Sequence, residues 1–198
     1  MGNFLVMGVD LAGVPSRPSG MCLLRGLKAT TSLLYSDEEI QDYIMKARPD
    51  LIAIDAPLTL PPGRKFMEDR NASHYRLCDL ELRRRKIPFF PITLGPMREL
   101  TRRGILIRKQ LEREGLRVIE IYPGGAQQVW HIPRVKHDRA KLRAGLKKLG
   151  IKGMTSKASD HELDAATGAL VGLFFLEGKA EVYGDFSTGA IVMPSSLG

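Results

Sequence analysis

Cysteine is scarce in this 198-residue chain. Only Cys22 and Cys78 are present, too few for a disulfide framework or a zinc site built of thiolates. Long apolar runs are absent as well. The longest, Phe4–Val9 and Leu170–Leu176, fall far short of the roughly 20 residues that span a bilayer. The first residues carry no basic stretch and no cleavage signal, and Val6 breaks the myristoylation pattern that Met1-Gly2 would open. These absences lead us to expect a soluble, cytoplasmic protein with no membrane partner. Several catalytic signatures are also missing. No Gly-x-Ser-x-Gly occurs, Gly172–Ala180 lacks the Ser/Thr and spacing of a phosphate loop, and His161-Glu162-Leu163-Asp164 lacks the second histidine of a zincin. The four histidines, His74, His131, His137 and His161, are too scattered for a zinc set; His161, beside Asp160 and Asp164, could assist a water but reads first as a surface residue. No internal repeat or low-complexity segment appears.

What is present suits one globular domain, 1–198, with a basic, proline-rich insertion at about 56–116. Hydrophobic residues make up 43% and charged residues 26% of the chain, enough to bury a core without crosslinks at this length. The formal charge of +8 is unevenly placed. Between residues 61 and 117 stand fifteen basic and seven acidic residues, and the rest of the chain balances to zero. Such a segment is either a solvated basic surface or the footprint of a polyanion. Its clusters make Arg76, Arg83, Arg84, Arg85, Lys86, Arg102 and Arg103 the candidates for contacting a nucleic acid, DNA or RNA, through phosphates.

The pattern predicts strands at Phe4–Asp10, Gly20–Leu24, Leu27–Leu34, Leu51–Asp55 and Arg117–Tyr122. Ser36-Asp37-Glu38-Glu39 is a capping box that opens a helix through about Ala47, stopped by Arg48-Pro49. Further helices are expected near Arg76–Lys86, Met97–Glu114, Pro123–Trp130, Asp138–Leu149 and Asp160–Glu177. The last carries Leu163, Ala166, Leu170 and Phe174 at spacings of three and four. The tail from Gly184 onward reads as loop with one short strand at Ala190–Met193. Short links among the first three strands imply an antiparallel meander, and helical links among the later ones imply parallel pairing. The expected fold is therefore three-layer α/β with a mixed sheet.

Five acids stand out. Asp10 and Asp55 each close an apolar strand, where a carboxylate is poorly solvated and needs a cation, a cap or a shifted pKa. Glu120 interrupts the apolar run Val118–Tyr122. Asp160 and Asp164 are four apart and share a helix face, beside small residues, Ala165 and Gly168, that permit close approach to a sheet. Brought together, such carboxylates hold hard cations, Mg²⁺ or Mn²⁺. Each has a structural alternative: Asp10 as the cap of the turn Leu11–Gly13, Asp55 as an Asx-turn residue, Asp160 as a helix N-cap, Glu120 in a pair with an arginine. Pro123-Gly124-Gly125 reads as a simple strand-to-helix turn, and Cys78 as a packing residue.

The acids also carry a family resemblance. Asp160-His161-Glu162-Leu163-Asp164-Ala165-Ala166 is similar to the last-helix Asp-x-x-x-Asp-Ala of RuvC-type resolvases. The chain as a whole resembles the domain of unknown function 429 family, described as predicted nucleases with a ribonuclease H-like fold. The matching stretches are Gly8–Gly13, Ile54–Leu58, Arg76-x-Cys78-Asp79-x-Glu81-Leu82-Arg83, Glu120–Pro123 and Leu163–Ala165. The resemblance implies a ribonuclease H-like three-layer fold and a divalent-metal-dependent nuclease. Taken with the acids read above, the leading expectation has Asp10, Asp55 and Asp164 as catalytic residues and main metal ligands, with Asp160 and Glu120 supporting. Two features depart from the pattern: the fourth-strand acid is an Asp in a proline-bound turn, and Glu120 has no obvious counterpart. Two other classes remain open. One is a small-molecule phosphoryl transferase or nucleotide hydrolase, for which the kinase–actin arrangement pairs two such domains and would here require a homodimer. The other is a nucleic-acid-binding module without turnover.

Overall fold

The computed structural model describes residues 2–70, 73–134 and 138–196; His137 and the last two residues of the tail lie outside them. The chain runs β1 (Leu5–Asp10), β2 (Ser19–Arg25), β3 (Lys28–Leu34), α1 (Asp37–Ala47), β4 (Leu51–Asp55), α2 (Leu77–Arg84), α3 (Gly95–Arg113), β5 (Val118–Ile121), α4 (Pro123–Val129), α5 (Arg139–Lys148), α6 (Asp160–Leu176), β6 (Ala180–Asp185) and β7 (Gly189–Pro194). The strands form one seven-stranded sheet in the order β3-β2-β1-β4-β5-β7-β6. β1, β2 and β3 pair antiparallel, β1, β4, β5 and β7 pair parallel, and β6 returns antiparallel to β7. Among the described residues no helix is long and apolar enough to cross a membrane.

Alternation along the central strands sends successive side chains to opposite faces. Val6, Leu51 and Ala53 enter a core with α4, α5 and α6, whereas Met7, Val9, Ile52 and Ile54 enter a second core with α1 and α3. The result is three layers. A third cluster, Cys78, Leu82, Tyr183, Ile191 and Met193, fixes α2 against the β6–β7 hairpin, so Cys78 does pack.

Local signals explain most boundaries. The Ser36 hydroxyl accepts from the Glu39 amide at 3.1 Å, and Glu39 accepts from the Ser36 amide at 3.1 Å. α1 ends at Arg48, whose φ of 46° lies in the left-handed region, just before Pro49. α3 starts two residues earlier than predicted because Pro96 in the first turn has no amide to satisfy. The tail differs from expectation. Besides β7 there is the unforeseen β6, which begins before Gly184 and is an edge strand in which Tyr183 alone is fully buried, so almost no alternation marks it.

α6 lies unusually close to the sheet. A Cβ on Gly8 would stand 2.0 Å from the Ala165 carbonyl oxygen, and one on Gly20 would stand 2.0 Å from that of His161. Helix backbone therefore rests on strand backbone at two points one turn apart. Gly8→Ala is expected to lower unfolding free energy by about 1–3 kcal/mol or more, as read by urea denaturation. Gly95→Ala, where nothing lies within 4 Å of the added methyl, should leave it nearly unchanged.

Candidate active site

Asp10 and Asp55 are register partners at the ends of the parallel pair β1–β4. Their neighbours Val9 and Ile54 face the α1/α3 core, so the pleat turns both aspartates toward α6. From that helix comes Asp164, one turn beyond the seat on Gly20. Burial first, and then the charges of Asp10 and Asp164, hold the Asp55 carboxyl well above the usual carboxylate range. Burial and then Asp10 push Asp164 up to about 7. Asp10 therefore lies close enough to act on both Asp55 and Asp164 through its charge.

Two polar side chains orient this group. His161 Nδ1 lies 2.6 Å from Asp10 Oδ2, and that hydrogen bond is the main cause of an imidazole pKa raised above its ordinary value. Gln127, buried on α4, donates through Nε2 to Asp164 Oδ1 at 2.6 Å. His161 is exposed, as its reading as a surface residue implies, and its spacing of three from Asp164 places both on one helix face beside the acids, where the alternative of assisting a water put it. Gln127 carried no signal, because only the packing of α4 on α6 brings it there. Among the described residues no three His, Cys, Asp or Glu side chains are gathered closely enough to hold a metal ion as they stand.

The other two acids are placed differently. Asp160 is the first residue of α6, and the cap is Ser159, whose hydroxyl accepts from the Glu162 amide at 3.2 Å. Asp160 is exposed, 3.7 Å from Arg139, and acts on the site only through its charge, which helps raise Asp164. Glu120 does not join Asp10, Asp55 and Asp164. It is the register partner of Ile54, so the pleat turns it to the opposite face. There Arg76 donates to Oε2 at 2.6 Å and to Oε1 at 2.7 Å, and the Leu58 amide donates to Oε2 at 2.8 Å. The alternative of an arginine partner is the one realised.

Arg76 likewise does not contact solvent-borne phosphate, being 1% exposed. Besides Glu120 it holds Asp79 through Nε at 3.1 Å and Nη2 at 2.8 Å, and Thr59 through Nη1 at 3.2 Å. This buried cluster ties the residues just after Asp55, and the start of α2, to β5. Arg103 is also buried, with its guanidinium on Asp37 at 2.7 Å and on the carbonyls of Ala12 and Tyr35 at 2.7 and 2.8 Å. Of the remaining basic candidates, Arg84 and Arg85 pair with Glu81, Arg85 also with Glu181, and Arg102 with Glu68 and Glu99. Arg83 and Lys86 are exposed.

Removing the arginine from its buried pair leaves two carboxylates uncompensated, so Arg76→Met should cost about 3–5 kcal/mol in denaturant titrations. Adding Glu120→Gln should recover part of that loss. The native state binds a proton at Asp164 more tightly than the unfolded chain, where an Asp titrates near 3.9. That contribution is complete below about pH 4 and vanishes as pH rises through about 7. In chelator-containing buffer, Asp164→Asn should therefore gain stability over wild type as pH rises across this window, by up to about 1.4 kcal/mol per pH unit.

The same architecture recurs in solved structures. Thermus thermophilus RuvC in complex with a Holliday junction substrate matches with a TM-score of 0.51 and 13% identity, covering 88% of this chain and 96% of that one. RuvC from the same organism in another structure gives 0.48 and 14% over the same shares. The yeast mitochondrial Holliday junction resolvase Ydc2 gives 0.40 and 13%, covering 85% and 75%. At this identity the first match establishes a common ribonuclease H-like fold. No curated protein matches the chain in sequence. The model of the family described as "Protein of unknown function (DUF429)" matches residues 8–188, from the strand that ends in Asp10 to the β6–β7 turn, and the chain belongs to that family.

Proposed function

We propose that the protein is a divalent-metal-dependent nuclease that hydrolyses phosphodiester bonds of nucleic acid. The observation that carries this reading is that Asp10 and Asp55 end adjacent parallel strands on the face toward α6, where burial and the charges of Asp10 and Asp164 raise the Asp55 carboxyl, and burial and the charge of Asp10 raise that of Asp164. A site that makes like charges neighbours at strand ends favours a bound cation. The donor set is carboxylate oxygen, which suits Mg²⁺ or Mn²⁺. The RuvC structure described with its junction substrate shares the fold, which supports a nucleic acid as the partner.

Asp10, Asp55 and Asp164 would hold the ion, with Asp160 adding long-range negative charge. A divalent cation in such a site polarises the phosphoryl group and lowers the pKa of bound water. His161 fixes the orientation of the Asp10 carboxylate, and Gln127 that of Asp164, as outer hydrogen-bond partners do at metal sites. The exposed Arg83 and Lys86, together with Lys65 and Lys109 beside a groove of about 520 Å³, would contact phosphates, which positions a strand without reading its sequence.

Asp10→Asn should reduce Mg²⁺-dependent cleavage of DNA or RNA by more than about 100-fold, beyond the loss typical of outer partners alone, with the circular dichroism spectrum unchanged. Mn²⁺ should raise the Tm of wild type but not of this variant. Retained turnover in Asp10→Asn would refute the assignment.

A further inference from the structure

A cavity of about 180 Å³ opens beside Asp55, on the side away from Asp10. Its walls include Pro57, Phe90, Ile92, Met97 and Tyr122. The buried Arg76, Asp79 and Glu120 also border it, but the nitrogens of Arg76 are all engaged by Asp79, Glu120 and Thr59. The Tyr122 hydroxyl donates to the Pro88 carbonyl at 2.6 Å. A guest therefore meets apolar and aromatic surface, with Asp55 as the one carboxylate it shares with the active site. Phe90 stands at this cavity with 66% of its surface exposed, an aromatic ring that folding leaves uncovered.

Size limits the guest. An apolar cavity of roughly 150 Å³ admits a benzene ring, so this one is on the scale of a single heterocycle and far too small for a duplex. We infer that it receives one nucleobase of an unpaired or single-stranded stretch, unstacked from its neighbours and packed against Phe90. The inference rests on the nuclease reading for its substrate class and deepens it. It makes the substrate one in which a base is already free to leave the stack, because extruding a paired base costs energy that a mismatched or single-stranded one does not. It also makes base identity unimportant, since stacking on an aromatic face is sequence-tolerant and the side-chain donors of Arg76 and Tyr122 are already engaged.

Binding of the full-length protein in chelator, where no cleavage occurs, separates this inference from the nuclease reading. The probes are a labelled DNA hairpin with one bulged thymidine and the same hairpin with an abasic bulge, compared by fluorescence anisotropy. The thymidine bulge should bind about 5- to 100-fold more tightly, and Phe90→Ala should erase the difference. Since Phe90 is exposed, that variant should keep its fold, and the wild-type comparison stands without it. Equal affinity for the two hairpins would overturn the inference. So would competition by free thymidine monophosphate as effective as by the bulged hairpin, which would assign the cavity to a mononucleotide. A base-dependent affinity in a protein that never cleaves would uphold the cavity's role and sink only the nuclease reading.

Discussion

The seat of α6 on the sheet is the constraint from which the rest follows. Gly8 and Gly20 leave no side chain between strand and helix, so the carbonyls of Ala165 and His161 lie where a Cβ would otherwise be. Interiors are packed too tightly to absorb such a collision. The contact therefore fixes how far α6 stands above β1 and β2, and with it where Asp164 and His161 reach. His161 meets Asp10 because its own backbone lies on Gly20, the register partner of Asp10.

The two faces of the sheet divide the buried acids by a simple rule. Residues one apart on neighbouring strands point in opposite directions. Asp10 and Asp55 face α6 with no arginine paired to them among the described contacts, and burial together with neighbouring carboxylates raises the pKa of Asp55 and of Asp164. Glu120 faces the other way and meets Arg76, whose charge and hydrogen bonds counter the burial that pushes its carboxyl upward. One face thus gathers carboxylates with only His161 beside Asp10 among the described contacts, and the other neutralises its acid with an arginine. The neutralised cluster has its own task. By engaging Thr59, the Leu58 amide and Asp79, it fastens the chain that leaves Asp55 and holds the wall of the adjoining cavity.

The basic segment is sorted in the same way. Arg76 and Arg103 belong to the interior, where each satisfies carboxylates or carbonyls from distant parts of the chain. Arg84, Arg85 and Arg102 pair with glutamates at the surface, contacts of small energetic consequence in water. The positive charge left for a polyanion is carried by residues such as Arg83, Lys86, Lys65 and Lys109. The net charge of the segment was therefore a sound guide to its sign and a poor guide to which side chains carry it outward.

Much of the fold was legible in the sequence because periodicity and capping are local. The apolar run Leu51–Asp55, the box at Ser36–Glu39 and the stripe of α6 each announce an element within a few residues, and short links against helical links imply the mixed pairing. The two strand-end aspartates and Asp164 were legible for the same reason, as acids in apolar surroundings. β6 was not, since an edge strand with one buried side chain has no alternation to read. Nor was the choice between Glu120 as ligand and Glu120 as partner of Arg76, 44 residues away, which depended on the face its strand turned outward. Gln127 and His161 joined the site only when α4 packed on α6 and α6 settled on glycine. Sequence by itself determined the elements and the chemistry each could offer. Tertiary structure decided which charges met and which were neutralised, because electrostatic interaction depends on distance and burial, and neither is defined until the chain has packed.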